Sequence, residues 1–208
     1  MDNVYISGNK LLLRLLQKKP FPKQTAKWLL RRIPDLNQPI SDLNGYSTTY
    51  LYEAQNENNL EAVQLLLASG ADPNYENPNL INDCALWDLQ YLCKDEDCVL
   101  PRYEIAKLFF EYGANPNLIS EGECLYDWVV DAVFNEMGEW GWQWRRDFLK
   151  LLVIYGGGGC GCYAKPRVSV PIDKARIDEY SLQFFQGPDG YHIDGWLVDP
   201  DGNRIAQV

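Results

Sequence analysis

The residues with the most chemical potential in this chain are six cysteines and a single histidine, His192. Cys93 and Cys98 flank the acidic run "KDED", and Cys160 and Cys162 form a C-x-C inside the tract "GGGGCGC". Four thiolates make a zinc cage when they recur at the short, paired spacings of a finger. These spacings match no standard finger, and no metal site is assigned. Cys124 as a nucleophile would need a nearby base, and the sequence shows none. His192 sits in a period-two stretch between glycine turns, where it reads as a half-exposed strand residue. The glycine tract lacks the Lys-Ser/Thr pair and the following helix of a phosphate loop. Acidic pairs are plentiful, but on an open helical surface they stay solvated, whereas acid–base catalysis needs a closed pocket. The expectation is a protein without catalytic residues and without a cofactor. The rival is an enzyme confined to residues 158–208, for which a pocket would have to bring His192 together with Asp194 or Cys162.

The elements that must position these residues follow from composition and pattern. The chain has 208 residues, 46% of them hydrophobic, with seven Trp and thirteen Tyr, which excludes a disordered polymer. "LLLRLL" is broken by Arg14 and stops at "QKKP", too short for a signal core or a membrane span. A cytoplasmic location is therefore expected, or export by a route that leaves no mark, and the cysteines are read as thiols. The net charge of −10 is uneven. Residues 1–40 carry +6, residues 41–140 carry −16 and residues 141–208 are neutral. An acidic block of that size repels nucleic acid and anionic membrane and attracts basic partners.

A ten-residue phrase recurs: "LLLASGADPN" at Leu65–Asn74, "LFFEYGANPN" at Leu108–Asn117 and "LLVIYGGGGC" at Leu151–Cys160. Its glycines, Gly70, Gly113 and Gly156, are 43 residues apart, and a fixed period of this size signals stacked repeats. An amphipathic helix precedes each glycine, with Leu60, Val63 and Leu67, then Ile105, Leu108 and Phe109, on one face. Glu61, Glu104 and Asp147 are expected at the helix starts, where the dipole favours negative charge. The glycine should end each helix in a left-handed cap, and proline follows in two of the three copies.

These residues resemble the ankyrin repeats. "TYLYEAQNENNLEAVQLLLASGADPN", Thr49–Asn74, follows the family consensus almost without gaps, with Tyr50 and Tyr52 at the usual Pro and His of "TPLH" and Asn58 at the usual Gly. "CALWDLQ" (Cys84–Gln90) and "CLYDWVV" (Cys124–Val130) take the first-helix place in the next two units. Insertions around "KDEDCVLP" and "FNEMGEWGWQW" lengthen the period. "WLLRRIPDLN" (Trp28–Asn37), with Asn9–Lys19 before it, aligns as a degenerate unit whose basic, polar face would cap the array. The resemblance implies a mostly α fold: an ankyrin-repeat solenoid of about four helix-pair units, with a small C-terminal β-meander. The array would span 1–157, divided into a cap unit at 1–43 and units at 44–80, 81–120 and 121–157.

Beyond the array the pattern changes. "GGGGCGC" reads as a hinge. "YSLQFFQ" (Tyr180–Gln186), "YHIDGWLV" (Tyr191–Val198) and "RIAQV" (Arg204–Val208) read as three strands joined by tight turns. So small a sheet needs support, and this meander over 158–208 is expected to cap the last helices. A separate binding tip is the alternative.

The resemblance also implies a protein-binding surface. In the family the groove is lined by the ends of first helices, here Asn56 and Glu57, Tyr91, and Val130 with Asp131. Fingers line the rim, here Tyr46, Thr48, Asp83, Glu121 and Glu123. Trp140, Trp142 and Trp144 alternate, and in an extended segment they would share one face; beside acidic groups they read as interface anchors, although at least one is expected to cover the helices beneath. The expected function is capture of a basic protein by an acidic, aromatic face, in its sharpest form by an immunity or inhibitor protein that neutralises a toxin. No nucleic acid and no membrane is expected as partner, and the free protein is expected to be a monomer. The other reading is an adaptor or secreted effector that binds a host or regulatory protein.

Overall fold

A computed structural model describes residues 8–41, 45–76, 85–89, 99–120, 122–135, 139–159, 165–186 and 193–208. They divide into two compact units, one through Ala114 and one from Asn115.

The first unit is built of helix pairs. Its elements are α1 (Gly8–Leu16), α2 (Lys23–Leu30), α3 (Tyr50–Asn56), α4 (Leu60–Ala68), the single turn α5 (Ala85–Asp88) and α6 (Val99–Glu111). A two-stranded hairpin, β1 (Ile40–Ser41) with β2 (Ser47–Thr48), precedes α3. Each helix packs on its pair-mate or on its counterpart in the next pair: α1 on α2 and α3, α2 on α4, α3 on α4 and α5, α4 on α6. The core between them is Leu12, Leu13 and Leu16, then Ala54, Val63 and Leu66, then Ile105, Ala106 and Phe109, all fully buried or within a percent of it. Small residues such as Ala26, Ala54, Ala62 and Ala106 are buried at these contacts and let the helices approach closely.

The glycine caps form as expected. Gly70, Gly113 and Gly156 have φ of +97°, +88° and +90°. At each, the glycine N–H donates three residues back and the next N–H five residues back, as in Gly70 to Leu67 (3.0 Å) and Ala71 to Leu66 (3.0 Å). This double bond closes the last turn of the helix. Asn58 repeats the device at the end of α3 with φ +50°, donating to Gln55 O while Asn59 N–H donates to Ala54 O.

Helix starts differ from expectation. Glu61 does lie in the first turn of α4. α6 begins at Val99 and α8 (Glu139–Ile154) at Glu139, so Glu104 and Asp147 are inside their helices. The cause is that part of each insertion is helical. Val99–Arg102 extends α6 backwards, with Pro101 in the first turn, where a missing N–H costs nothing.

In the second unit, hairpin β3 (Ile119–Ser120) with β4 (Glu123–Cys124) leads into α7 (Leu125–Asn135), which packs on α8. A 3-10 segment, Lys174–Glu179, precedes an antiparallel sheet of order β5 (Ser181–Gln186), β6 (Ile193–Val198), β7 (Arg204–Gln207). The three-stranded meander is thus present, and β5 packs against α8. Phe184 meets Phe134 of α7 edge-on at 5.5 Å. Arg146 of α8 donates to Leu182 O and lies 5.1 Å from the Phe184 ring; burial pulls its pKa below the ordinary guanidinium value.

The start of the glycine tract, expected as a hinge, is closely packed. Gly157 and Gly158 are buried. A Cβ on Gly157 would stand 2.9 Å from the Leu152 carbonyl oxygen, and one on Gly158 would strike the Lys165 stem at 2.4 Å. Gly158 N–H donates to Asn117 Oδ1 at 3.0 Å, and the buried Cys124 thiol lies 3.6 Å from Gly158 O. Cys160 and Cys162 lie outside the described residues.

Candidate protein-binding surface

Those expected surface residues that the structure describes lie on two hairpins, at the end of α3, and on α7 and α8. In the first unit, Gly45 at φ +92° turns the β1–β2 hairpin and leaves Tyr46 72% exposed at its tip. Asn56 is exposed and Glu57 half-buried where α3 ends. Thr48 is a correction: it is 3% exposed, and its hydroxyl donates to Glu53 Oε1 at 2.9 Å. It faces inward because it pairs with buried Ile40 across the hairpin, and it joins this strand to α3 instead of reaching a partner.

In the second unit, Glu123 on β4 and Asp131 on α7 are exposed. Val130 is a second correction, with no exposed surface. It follows Tyr126 by one helical turn and shares a buried stripe with Tyr126, Val129 and Val133. Trp144 is the third. The segment is helical, not extended, and Trp144 is fully buried, stacked on Phe148 at 5.4 Å. The side chains of Trp140 and Trp142 lie outside the described set, as do Asp83, Tyr91 and Glu121. Cys93, Cys98 and His192 lie outside it too. Among the described residues no three His, Cys, Asp or Glu come together as metal ligands.

Residues 48–78 match the family model of the ankyrin repeat. The chain carries an ankyrin repeat. A search of curated proteins finds no match to the chain. Ankyrin repeats generally mediate protein–protein interaction. Within the repeat, Thr49 keeps the capping role of the consensus threonine: its Oγ1 accepts from Tyr52 N–H at 3.1 Å. Tyr50, at the usual proline place, is fully buried, and burial raises its pKa to about 12. Tyr126, in the first turn of α7, is shifted upward by burial too.

An asparagine ladder accompanies the repeat. Asp72 N–H donates to Asn37 Oδ1 at 2.7 Å, and Asn74 Nδ2 donates to Gly113 O at 3.0 Å. In the second unit Asn117 Oδ1 accepts from Gly158 N–H. Gly158 occupies the position of Asp72 and needs only its backbone there. Asn37, in the degenerate N-terminal phrase, makes the same bond as Asn117, which supports its alignment with them.

Two features escaped the sequence reading. Trp28 of α2 is 54% exposed, with the Arg32 guanidinium 3.6 Å over its ring. A concave site borders β7, lined by residues from two segments about 40 positions apart. The only trace of it in the sequence was "KPR", a basic triplet in a stretch of zero net charge.

Proposed function

We propose that this protein is a non-catalytic binding module that captures a basic protein, and that its helix pairs over residues 1–157 are units of one ankyrin solenoid. The observation that carries the reading is the rim of the repeat itself. Tyr46, 72% exposed at a hairpin tip, offers an amphipathic ring, and Asn56 with Glu57 at the α3 end offer amide and carboxylate groups. A tyrosine so placed supplies large contact area at low entropic cost. The −16 charge of residues 41–140 would steer a cationic partner and speed its encounter. In the most concrete version the partner is a toxin and this chain its immunity or inhibitor protein, acting as a cytoplasmic monomer.

The test is affinity capture from cells of the source organism, run in parallel with wild type and Tyr46→Ala/Glu57→Lys. A basic protein should be retained by the wild type, with binding weakened about a hundredfold in the double variant. Its association rate should fall steeply between 20 and about 150 mM salt, over which screening shortens from tens of ångströms to ~8 Å. Equal capture by both proteins, or a rate indifferent to salt, would refute the reading.

A further inference from the structure

The concavity beside β7 has a volume of about 610 Å³, well within the range of roughly 300–1,000 Å³ typical of ligand sites. Lys165, Arg167 and Ser169 line one wall, and Trp196, Arg204 and Gln207 belong to the other. β7 is an edge strand. Val208 N–H donates inward to Gly195 O at 2.9 Å, so by the alternation of an antiparallel ladder Ile205 and Gln207 turn their backbone groups outward. At Ile205 that edge is covered. Ser169 donates to Ile205 O through both its N–H (2.8 Å) and its hydroxyl (2.9 Å). Towards Lys165 the covering segment leaves the strand. Its buried Pro166 has no N–H with which to pair, and no hydrogen bond among the described residues reaches the Gln207 backbone.

The walls are cationic. Lys165 and Arg167 are exposed, and neither is in an ion pair among the described residues. Arg204 lies 3.8 Å from the Phe185 ring and 5.7 Å from that of Trp196, which fixes its charge at the mouth. The carboxylate at the rim, Asp194, accepts from Gln207 Nε2 at 3.0 Å. Buried Gly158 receives the Lys165 stem where any side chain would collide. The basic wall is therefore seated on the described core of its own unit.

We propose that this cleft is a docking site for an acidic, extended peptide segment of a protein partner, which adds as a strand to β7. The bare Gln207 edge supplies main-chain hydrogen bonds, and carboxylates on alternate residues of the peptide meet Lys165 and Arg167. A free inorganic anion would use the cations and leave the strand edge unpaired. A nucleic acid would likewise use the cations through its phosphates and leave the strand edge unpaired. The site is independent of the acidic surface proposed for the basic partner and would engage a different segment.

The experiment is selection of random-sequence peptides on the intact chain, followed by calorimetric titration of a selected peptide and amide exchange at Gln207. Acidic peptides should be enriched. Lys165→Glu with Arg167→Glu should weaken binding at least about tenfold, Lys165→Gln with Arg167→Gln less; thermal unfolding should change little, because both residues are exposed and the Gln variants keep a stem over Gly158. The Gln207 amide should exchange more slowly in the complex. An empty selection, a pool without acidic enrichment, affinity indifferent to both substitutions, or an unprotected Gln207 amide would each overturn the proposal. So would complete displacement of the peptide by inorganic phosphate at equal ionic strength, which would make the cleft a small-anion site.

Discussion

At the scale of single residues, Asn58 shows how this repeat departs from its consensus. It stands in a left-handed conformation, φ +50°, and its side-chain oxygen is buried without a hydrogen-bond partner. Glycine would relieve both costs. Asn58→Gly should therefore raise stability by about 0.5–1 kcal/mol in denaturant unfolding, and Asn58→Ala should lower it by about 1 kcal/mol. A loss on Asn58→Gly would show that the amide nitrogen holds something worth more than the strain. This position was legible from sequence because a left-handed cap is written in one residue type. Gly70, Gly113 and Gly156 were legible for the same reason. Thr48 and Val130 were not, since a hairpin pairing and a helical stripe decide which way each side chain turns, and neither is set by the residue's own chemistry.

At the scale of elements, the helices were found and their starts were missed. Val99–Arg102 and Glu139–Trp144 were read as insertions because they fall outside the repeat. No strong capping residue marks where the helix should begin, and good helix formers let it run backwards until other forces stop it. That extension moves Trp144 from a supposed surface ladder into the core. Its ring is stacked on Phe148, and the neighbouring Arg145 guanidinium lies 5.5 Å from Trp128 of α7. Trp144→Ala should cost about 3–5 kcal/mol by cavity formation, read as a lowered unfolding midpoint. Trp144→Phe should recover much of it. A wild-type midpoint for the alanine variant would mean the ring is not buried. The sheet was legible from period two alone, but the cleft beside β7 was not. It arises where Ser169 meets Ile205, and no local pattern encodes a contact 36 residues apart.

For the whole molecule, Tyr50 and Tyr126 make folding sensitive to alkali. Both hydroxyls are buried without a partner, and burial raises both pKa values, that of Tyr50 to about 12 from 10.0. A folded-state pKa above the unfolded one means that the folded chain holds its proton longer. The stabilisation is complete below pH ~10 and is lost as pH rises through the folded value. Thermal unfolding should therefore be flat near neutrality and fall above pH ~10. Tyr50→Phe with Tyr126→Phe should flatten that fall at little cost near pH 7, since the hydroxyls it removes are unpaired. A double variant with an unchanged alkaline limb would assign the transition to other groups.

One bond in the first unit has a consequence for how that unit comes apart. The buried Asn59 side chain serves two masters: Oδ1 accepts from Ala62 N–H at 3.2 Å and caps α4, and Nδ2 donates to Leu16 O at 2.6 Å at the end of α1. Only the second link is severed if α1 and α2 swing away; the cap on α4 survives. The α1–α2 pair is thus fastened by a clasp that can open while its neighbour stays wound.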